Sequence, residues 1–227
     1  MPTKSPEQLI ADCGAWWDTS IIDIHPGRIA IRGYPIEELI GNVRFPDMIW
    51  LMLRGELPTR AQGDLLEAAM VPGVDHGPHA PSIAIAQMAV SCGLPVNGAM
   101  ASAINVLDDV HGGAGQQCME LYREIDAEAG PHGDLVAAAA AVLKRRADAG
   151  DRIVPGFGHR FHPIDPRTAP LFALVEQARG AGTVTGRFAA IGHAVEAALR
   201  AAKGRHIPMN IDGITAVIFC ELGFEPE

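Results

Sequence analysis

Apolar residues that recur at helical spacing run through most of this 227-residue chain and constrain its fold more than any other feature. Similar patterns predict helices at 62–70, 81–92, 97–107 and 134–150, and a buried helix in the last segment, GITAVIFCELGF. The clearest pattern lies between residues 186 and 204, where one face consists of Phe188, Ile191, Val195, Leu199 and Ala202. The chain is therefore predicted to be mainly α-helical.

Local residue types refine this prediction. The 134–150 helix has an aspartate at its start and a glycine at its end, which is the usual order of start and stop signals. We expect the 81–92 helix to be buried and the small residues of 97–107 to pack closely in a core. Residues 19–35 instead predict short strands or a hairpin that turns at His25-Pro26-Gly27.

The composition argues against several classes of function. The formal net charge is −9, which does not favour a basic surface for nucleic acid or an anionic membrane. The four cysteines are widely spaced and form no CxxC pair, so we expect free thiols rather than a disulfide framework or a zinc site. No apolar run has the length of a signal peptide or of a membrane span. We therefore expect a cytoplasmic protein that binds neither nucleic acid nor membrane.

Four polar loops separate the predicted helices, and each carries a histidine or an acid. They are GVDHGPH (73–79), DDVHGGAG (108–115), GFGHRFHPIDPR (156–167) and MNIDG (209–213). A solvated surface does not require such residues at four gaps of an apolar chain, so these loops are the candidates for chemistry.

Three of the loops have both a structural and a functional interpretation. The glycines after His111 allow a ligand to approach closely, or they end one helix and begin the next. Two prolines stiffen the chain between His159 and Arg167, a residue suited to bidentate carboxylate binding, although a proline-rich surface connection is the alternative. Asp212 is either an N-cap or, if it faces a cleft, a general base.

A metal site has little support. His76 and His79 are three residues apart, but Pro78 lies between them and no HExxH motif or third ligand follows. A metal-dependent hydrolase that uses these two histidines with His159 and His162 remains an alternative without a recognised ligand set. We expect no metal and no other cofactor.

The candidate residues of the four loops are histidines, one aspartate and one arginine, and no nucleophile lies beside a base. Such residues favour proton transfer at a carbon next to a carbonyl, with neutral imidazoles that stabilise the enolate and an arginine that holds a carboxylate. The chain contains no GxSxG motif, P-loop or dinucleotide-binding fingerprint.

Taken in order, DHG, HGGA, PGFGHR…DPR and NIDG resemble the citrate synthase superfamily, and so does the N-terminal segment from TSIIDI to GELPT. GFGHR and NIDG, in a chain of this length, resemble citryl-CoA lyases and the C-terminal module of ATP-citrate lyase more than a full citrate synthase. The resemblance covers nearly the whole chain.

The resemblance implies an all-α, two-domain fold with the active-site cleft between the domains. The large helical domain would comprise residues 1–112 plus 212–227, and the small helical domain residues 113–211. A homodimer is implied as well. In the family, a further segment after the NIDG helix carries one substrate arginine and usually a second that reaches the partner subunit. The sequence ends at Glu227, so we expect either a truncated chain or a divergent member with another substrate or weak activity.

The resemblance also implies a role for each site residue. His111 would hydrogen-bond the thioester carbonyl of the acetyl-CoA enol, and Asp212 would remove or return the methyl proton. His159 would handle the proton on the oxaloacetate carbonyl, which is the citryl hydroxyl. His76 and Arg167 would contact the substrate carboxylates and carbonyl. Coenzyme A contacts are expected at Gly156, Phe157, Gly158, Arg160, Lys203 and Arg205.

The leading hypothesis is therefore an enzyme that cleaves or forms the bond between an acetyl-CoA α-carbon and oxaloacetate, as citryl-CoA lyases do. A citrate synthase is the first alternative, and it additionally requires thioester hydrolysis. A non-catalytic homologue that binds acyl-CoA is the second. The intact His111, His159 and Asp212 argue against it, whereas the missing C-terminal arginines argue for it.

Overall fold

The computed structural model describes residues 4–226 and contains two compact units, which divide between Gly63 and Asp64. The expected domain division at residues 112 and 211 stays a prediction. The first unit contains α1 (Pro6–Trp16), β1 (Ile22–His25), β2 (Arg28–Ile31), β3 (Tyr34–Pro35), α2 (Ile36–Leu39), α3 (Phe45–Arg54) and the first residues of α4 (Arg60–Met70).

The predicted hairpin lies in the first unit. Strands β1 and β2 pair antiparallel from Ile22 opposite Ile31 to His25 opposite Arg28, so that Pro26 and Gly27 form the turn. Gly27 has a φ of 76°, which favours glycine at this position. The short strand β3 pairs antiparallel with β2 and completes a three-stranded sheet.

The second unit is helical. It contains the rest of α4, a 3₁₀ turn (Val71–Gly73), α5 (Pro81–Ser91), α6 (Val96–Ile104), α7 (Ala114–Ala129), α8 (Leu135–Ala149), α9 (Thr168–Gly180), α10 (Arg187–Lys203) and α11 (Ile211–Glu221). Helices α7, α8, α10 and α11 pack on one another and form its core. The predicted all-α fold class with a short N-terminal β segment is confirmed.

The core of this unit is built from aliphatic side chains around a single buried tyrosine. Tyr122 on α7 has no exposed surface, and its hydroxyl donates to the carbonyl oxygen of Gly213 on α11 at 3.2 Å. Val142 on α8, Val195 on α10 and Ile214 on α11 are equally inaccessible to solvent. This packing fixes the start of α11 against α7.

The start and stop signals of α8 act as predicted. The Asp134 carboxylate accepts hydrogen bonds from the backbone N–H groups of Val136 and Ala137, at 2.9 and 3.1 Å. The helix ends at Gly150, whose φ of 110° lies in the region that favours glycine.

The expected burial of α5 and α6 is wrong for the single chain. The two helices pack on each other, but no residue of α5 is buried, and in α6 only Ala99 is. Met88, Val96, Met100 and Ile104 each expose more than half of their surface. Both helices carry apolar residues on all sides, which is the pattern of a buried helix. The predicted burial would hold only if another protein surface covered their outer faces.

None of the helices within residues 4–226 is long and apolar enough to span a bilayer.

Candidate active site

Loops from three separate parts of the second unit enclose a cavity of about 550 Å³. It is bounded by the segment before α5, the turn before α7 and the loop before α9. Four residues that the sequence predicted to act together, His76, His111, His159 and Arg167, all line it. The titratable side chains of its wall are Asp75, His76, His79, His111, His159, Arg160, His162 and Arg167.

His111 is held in one tautomer by the start of α5. The backbone N–H of Ser82, in the first turn of that helix, donates to Nε2 of His111 at 3.2 Å. A ring nitrogen that accepts from an N–H carries no proton, so the imidazole is neutral and bears its hydrogen on Nδ1. A tight turn fixes the residue, because the N–H of Asp108 donates to the His111 carbonyl at 2.9 Å. In this tautomer His111 has an N–H donor at Nδ1, and the residue lines the cavity.

His159 is held in the same way but through its other nitrogen. The backbone N–H groups of Phe161 and His162 donate to Nδ1 at 3.0 and 3.1 Å, which leaves the hydrogen on Nε2. Burial lowers the pKa of His159, and the electrostatic interaction with His162, whose ring centre is 4.6 Å away, lowers it further. His159 is thus a second neutral N–H donor among the residues that line this cavity.

Arg167 is fixed by a carboxylate two residues earlier in the chain. The Asp165 side chain accepts from Nε and Nη2 of Arg167 at 2.9 and 2.8 Å, and from its backbone N–H at 3.0 Å. Burial raises the pKa of Asp165, but the hydrogen bonds and charge of Arg167 outweigh burial and bring the pKa to about 2. The arginine consequently keeps one orientation at the cavity wall.

Asp212 lies in the first turn of α11, but it does not cap that helix. The N-cap is Asn210, whose side-chain oxygen accepts from the N–H of Gly213 at 3.2 Å. The interpretation of Asp212 as the N-cap is therefore wrong, because Asn210 caps the helix. Its carboxylate remains available for chemistry.

The surroundings of Asp212 connect it with the cavity, although it is not among the lining residues. Burial raises the pKa of its carboxyl group, and electrostatic interactions with His76, Arg167 and His159 oppose this effect. Asp212 is thus close enough to these three residues to interact with them electrostatically, and it holds a proton more readily than an exposed aspartate.

The loop that contains His159 is bound tightly to the segment before α11. The N–H of Gly158 donates to the carbonyl of Pro208 at 2.7 Å, and the N–H of Asn210 donates to that of Gly156 at 2.9 Å. Gly156 has a φ of 82°, and a Cβ there would lie 2.8 Å from Cα of Gly213. Glycine is required at this contact, which brings the His159 loop and the Asp212 helix together.

The residues expected to contact coenzyme A are distributed over several environments. Arg160 lines the cavity, whereas the Phe157 ring is buried and packs edge-on against Tyr122, with ring centres 6.3 Å apart. Lys203 lines a second cavity of about 480 Å³ between α8 and α10. Arg205 is exposed and lines neither cavity.

The four histidines of the metal hypothesis share the cavity, yet within residues 4–226 no group of three histidine, cysteine, aspartate or glutamate side chains is arranged to hold a metal ion.

Sequence reasoning missed two residues that organise the site, Asp165 and Asn210. Both carried a signal, since Asp before Pro favours a turn and Asn is as good an N-cap as Asp. What the sequence does not give is the hydrogen-bond partner of each side chain, which depends on how the loops meet in space.

A family model described as "Citrate synthase, C-terminal domain" matches residues 14–70 and 61–227. The chain belongs to the citrate synthase family. The citrate synthase of Haloferax volcanii is 26% identical over 173 residues, which are 76% of this chain and 43% of that relative. The chain thus spans less than half the length of this curated relative.

Solved structures of family members have the same fold. The citryl-CoA lyase from Hydrogenobacter thermophilus is 30% identical, has a TM-score of 0.79, and is matched over 92% of this chain and 78% of its own. The ATP citrate lyase from Methanothrix soehngenii, solved with citrate and coenzyme A, shares the fold at 19% identity and a TM-score of 0.78, with 98% of this chain and 35% of that one covered.

Proposed function

We propose that this chain cleaves citryl-CoA into acetyl-CoA and oxaloacetate by enolate chemistry. One observation carries the proposal: two imidazoles, each kept neutral by backbone N–H donors, line one cavity together with a fixed arginine. Neutral N–H donors stabilise the partial negative charge that develops on two oxygens during such a reaction. The 30% identity to a citryl-CoA lyase over most of both chains supports this substrate.

In cleavage, the bond between the citryl carbinol carbon and the carbon next to the thioester breaks. Its electron pair forms the enolate of acetyl-CoA, whose oxygen accepts from Nδ1–H of His111. The hydroxyl oxygen becomes the oxaloacetate carbonyl and accepts from Nε2–H of His159. Asp212, in its acid form, protonates the enolate carbon. The hydroxyl proton leaves to solvent water, and Asp212 takes one proton back from water before the next turnover, so that atoms and charges balance.

The surroundings of Asp212 suit this role. Its carboxyl group must hold a proton in cleavage and release it in condensation, and burial raises its pKa above the usual value of an aspartate, which favours the acid form. Arg167, held by Asp165, would bind one substrate carboxylate, and His76 would contact another polar group of the substrate.

The second cavity supports a site for the adenosine part of coenzyme A. Its walls are mainly apolar, for example at Val154 and Leu199, while Arg152 and Lys203 supply positive charge for phosphates. Val154 lies five residues before His159, so the chain between the two cavities spans at most about 18 Å. A coenzyme A arm could then run along Gly156, Phe157 and Gly158, where only the backbone of Phe157 would take part.

The exposed faces of α5 and α6 support a homodimer. They form a contiguous apolar surface, and monomeric proteins rarely expose such surfaces without a partner. The four cysteines are unpaired, which fits a reducing compartment, and we place the reaction in the cytoplasm.

The test follows acetyl-CoA formation and thiol release in parallel. Purified protein receives citryl-CoA, and separately acetyl-CoA with oxaloacetate, with Asp212→Asn as the control. Acetyl-CoA and oxaloacetate from citryl-CoA, lost in the variant, are the expected result. Free coenzyme A from the second mixture would instead indicate a citrate synthase, as the Haloferax volcanii relative is named. No reaction in either, with coenzyme A still bound, would favour a non-catalytic acyl-CoA-binding protein.

A further inference from the structure

One buried carboxylate has no direct part in the proposed reaction. The side chain of Asp165 has no exposed surface, although it is charged. A charge in such a position is costly unless hydrogen bonds satisfy it completely. The two oxygens of Asp165 accept four hydrogen bonds, and these partners all belong to the proposed active site or lie directly beside it.

Three of the four hydrogen bonds come from Arg167. Its backbone N–H and Nε donate to Oδ1, and Nη2 donates to Oδ2, at distances between 2.8 and 3.0 Å. The guanidinium carries five N–H groups, so three remain for a ligand after Asp165 has taken two. Because two parallel bonds fix the plane of the guanidinium, Asp165 sets the direction in which Arg167 meets the cavity.

The fourth hydrogen bond reaches another element. The backbone N–H of Ile211 donates to Oδ2 of Asp165 at 3.0 Å. Ile211 is the first residue of α11, where backbone N–H groups lack partners within the helix, and the next residue is Asp212. The same carboxylate therefore holds the start of the helix that carries the proposed acid.

We infer that Asp165 is a positioning residue that fixes Arg167 and Asp212 relative to each other. The inference rests on the proposed function, because it assigns these two residues their parts in the reaction. Both carboxylate oxygens of Asp165 accept hydrogen bonds from the guanidinium of Arg167, and Oδ2 also accepts one from the start of the helix that carries Asp212. A displacement of about 1 Å between reacting groups costs roughly 100-fold in rate, so a link of this kind matters for turnover.

The charge of Asp165 adds a property that a purely structural residue would not have. Burial raises the pKa of Asp212 most strongly, Asp165 raises it further, and His76, Arg167 and His159 lower it. Removing the charge of Asp165 therefore lowers the pKa of Asp212. Since cleavage needs the acid form of Asp212, the rate of cleavage would then begin to fall at a lower pH as the pH is raised.

The experiment compares three variants in citryl-CoA cleavage across a pH series. Asp165→Asn removes the charge at nearly constant size, and Asp165→Glu keeps the charge but changes the geometry. Asp126→Asn is the matched control, since Asp126 accepts from Nε of Arg187 at 2.7 Å and lines neither cavity. Circular dichroism and thermal melting verify that each variant is folded.

We expect kcat to fall about 100-fold in Asp165→Asn, with a raised KM and with the falling limb of the pH profile moved to lower pH. In Asp165→Glu, kcat falls while that limb stays in place. Asp126→Asn keeps the wild-type kcat, KM and pH profile. If Asp165→Asn does not fold, the kcat of Asp165→Glu decides.

A folded Asp165→Asn or Asp165→Glu with the kcat and pH profile of the wild type would overturn the inference and leave the proposed function intact. A wild-type protein that does not cleave citryl-CoA would overturn the proposed function itself, and the role of Asp165 with it. A loss of activity in Asp126→Asn equal to that in Asp165→Asn would also overturn the inference, because the effect would then not depend on this site.

Discussion

At the scale of single residues, the Asp212 carboxylate is available for chemistry because other side chains accept hydrogen bonds from the backbone N–H groups at the start of α11. Asn210 accepts from the N–H of Gly213, and Asp165 accepts from that of Ile211. We expect Asp212→Asn to lower citryl-CoA cleavage at least about 100-fold, as the loss of a general acid does, with little change in Tm.

The control for this prediction is Asn210→Ala. This variant loses the N-cap and should be destabilised by about 1 kcal/mol in urea unfolding. If Asp212→Asn instead destabilised the protein as much as Asn210→Ala and kept its activity, Asp212 would be a structural residue.

The buried Asp165 also makes stability depend on acid. Its pKa in the folded protein is about 2, below that of an unfolded aspartate, so its contribution is complete above the unfolded pKa and is lost as pH falls towards 2. The contribution is about 2 kcal/mol at neutral pH. We expect the free energy of unfolding, measured by urea titration between pH 6 and pH 2, to fall less steeply in Asp165→Asn than in the wild type. Parallel curves would contradict this prediction.

At the scale of elements, the end of α11 supports the start of α10. Gly186, the N-cap of α10, has no side chain to offer, and the Glu221 carboxylate takes its place. That carboxylate accepts from the backbone N–H groups of Thr185, Gly186, Phe188 and Ala189, at 2.7 to 3.4 Å. The two helices are joined by one side chain.

We expect Glu221→Ala to lower the free energy of unfolding by about 1 to 2 kcal/mol, because it leaves several N–H groups without their acceptor. Glu225→Ala is the control, since the Glu225 side chain is exposed and its ion pair with Arg123 contributes little to stability. Chemical denaturation of both variants measures the difference. Equal stability of the two variants would show that water replaces the Glu221 carboxylate at no cost.

The sequence predicts helices well where local signals agree. Residues 134–150 and 186–204 became α8 and α10 almost to the residue, because caps and apolar spacing mark both ends and the buried face. Helix α7 was missed although Cys118, Leu121, Tyr122 and Ile125 form a buried face at helical spacing. Polar residues interrupt its apolar pattern, and the helix begins within the HGGAG motif, so the local signals for a helix are weaker there.

The site itself was predictable in part. Histidine-containing motifs name His76, His111 and His159, and the structure places them in one cavity with Arg167. The tautomers were not predictable, because they depend on which backbone N–H groups approach each ring after folding. Burial of Asp165 was likewise not predictable, since its fourth partner lies 46 residues away in the sequence.

At the scale of the whole molecule, the apolar outer faces of α5 and α6 are exposed in the single chain. A groove of about 400 Å³ between the two helices is lined by Val90, Val96 and Met100, among others. Helices of this composition are hydrophobic on all sides, which is typical of buried helices. A second copy of the chain, packed through the same helices, would bury them symmetrically.

We therefore expect the protein to form a dimer of twice 24.0 kDa in size-exclusion chromatography with light scattering. Met100→Glu places a charge in the apolar surface and should yield monomers, because burying an unpaired carboxylate costs more than the apolar contact gains. Val136→Glu is the control, since Val136 is also exposed but lies on α8, and this variant should remain dimeric. A monomeric wild type, or a dimer that Met100→Glu does not disturb, would mean that α5 and α6 are not the dimer interface and that their apolar faces have another partner.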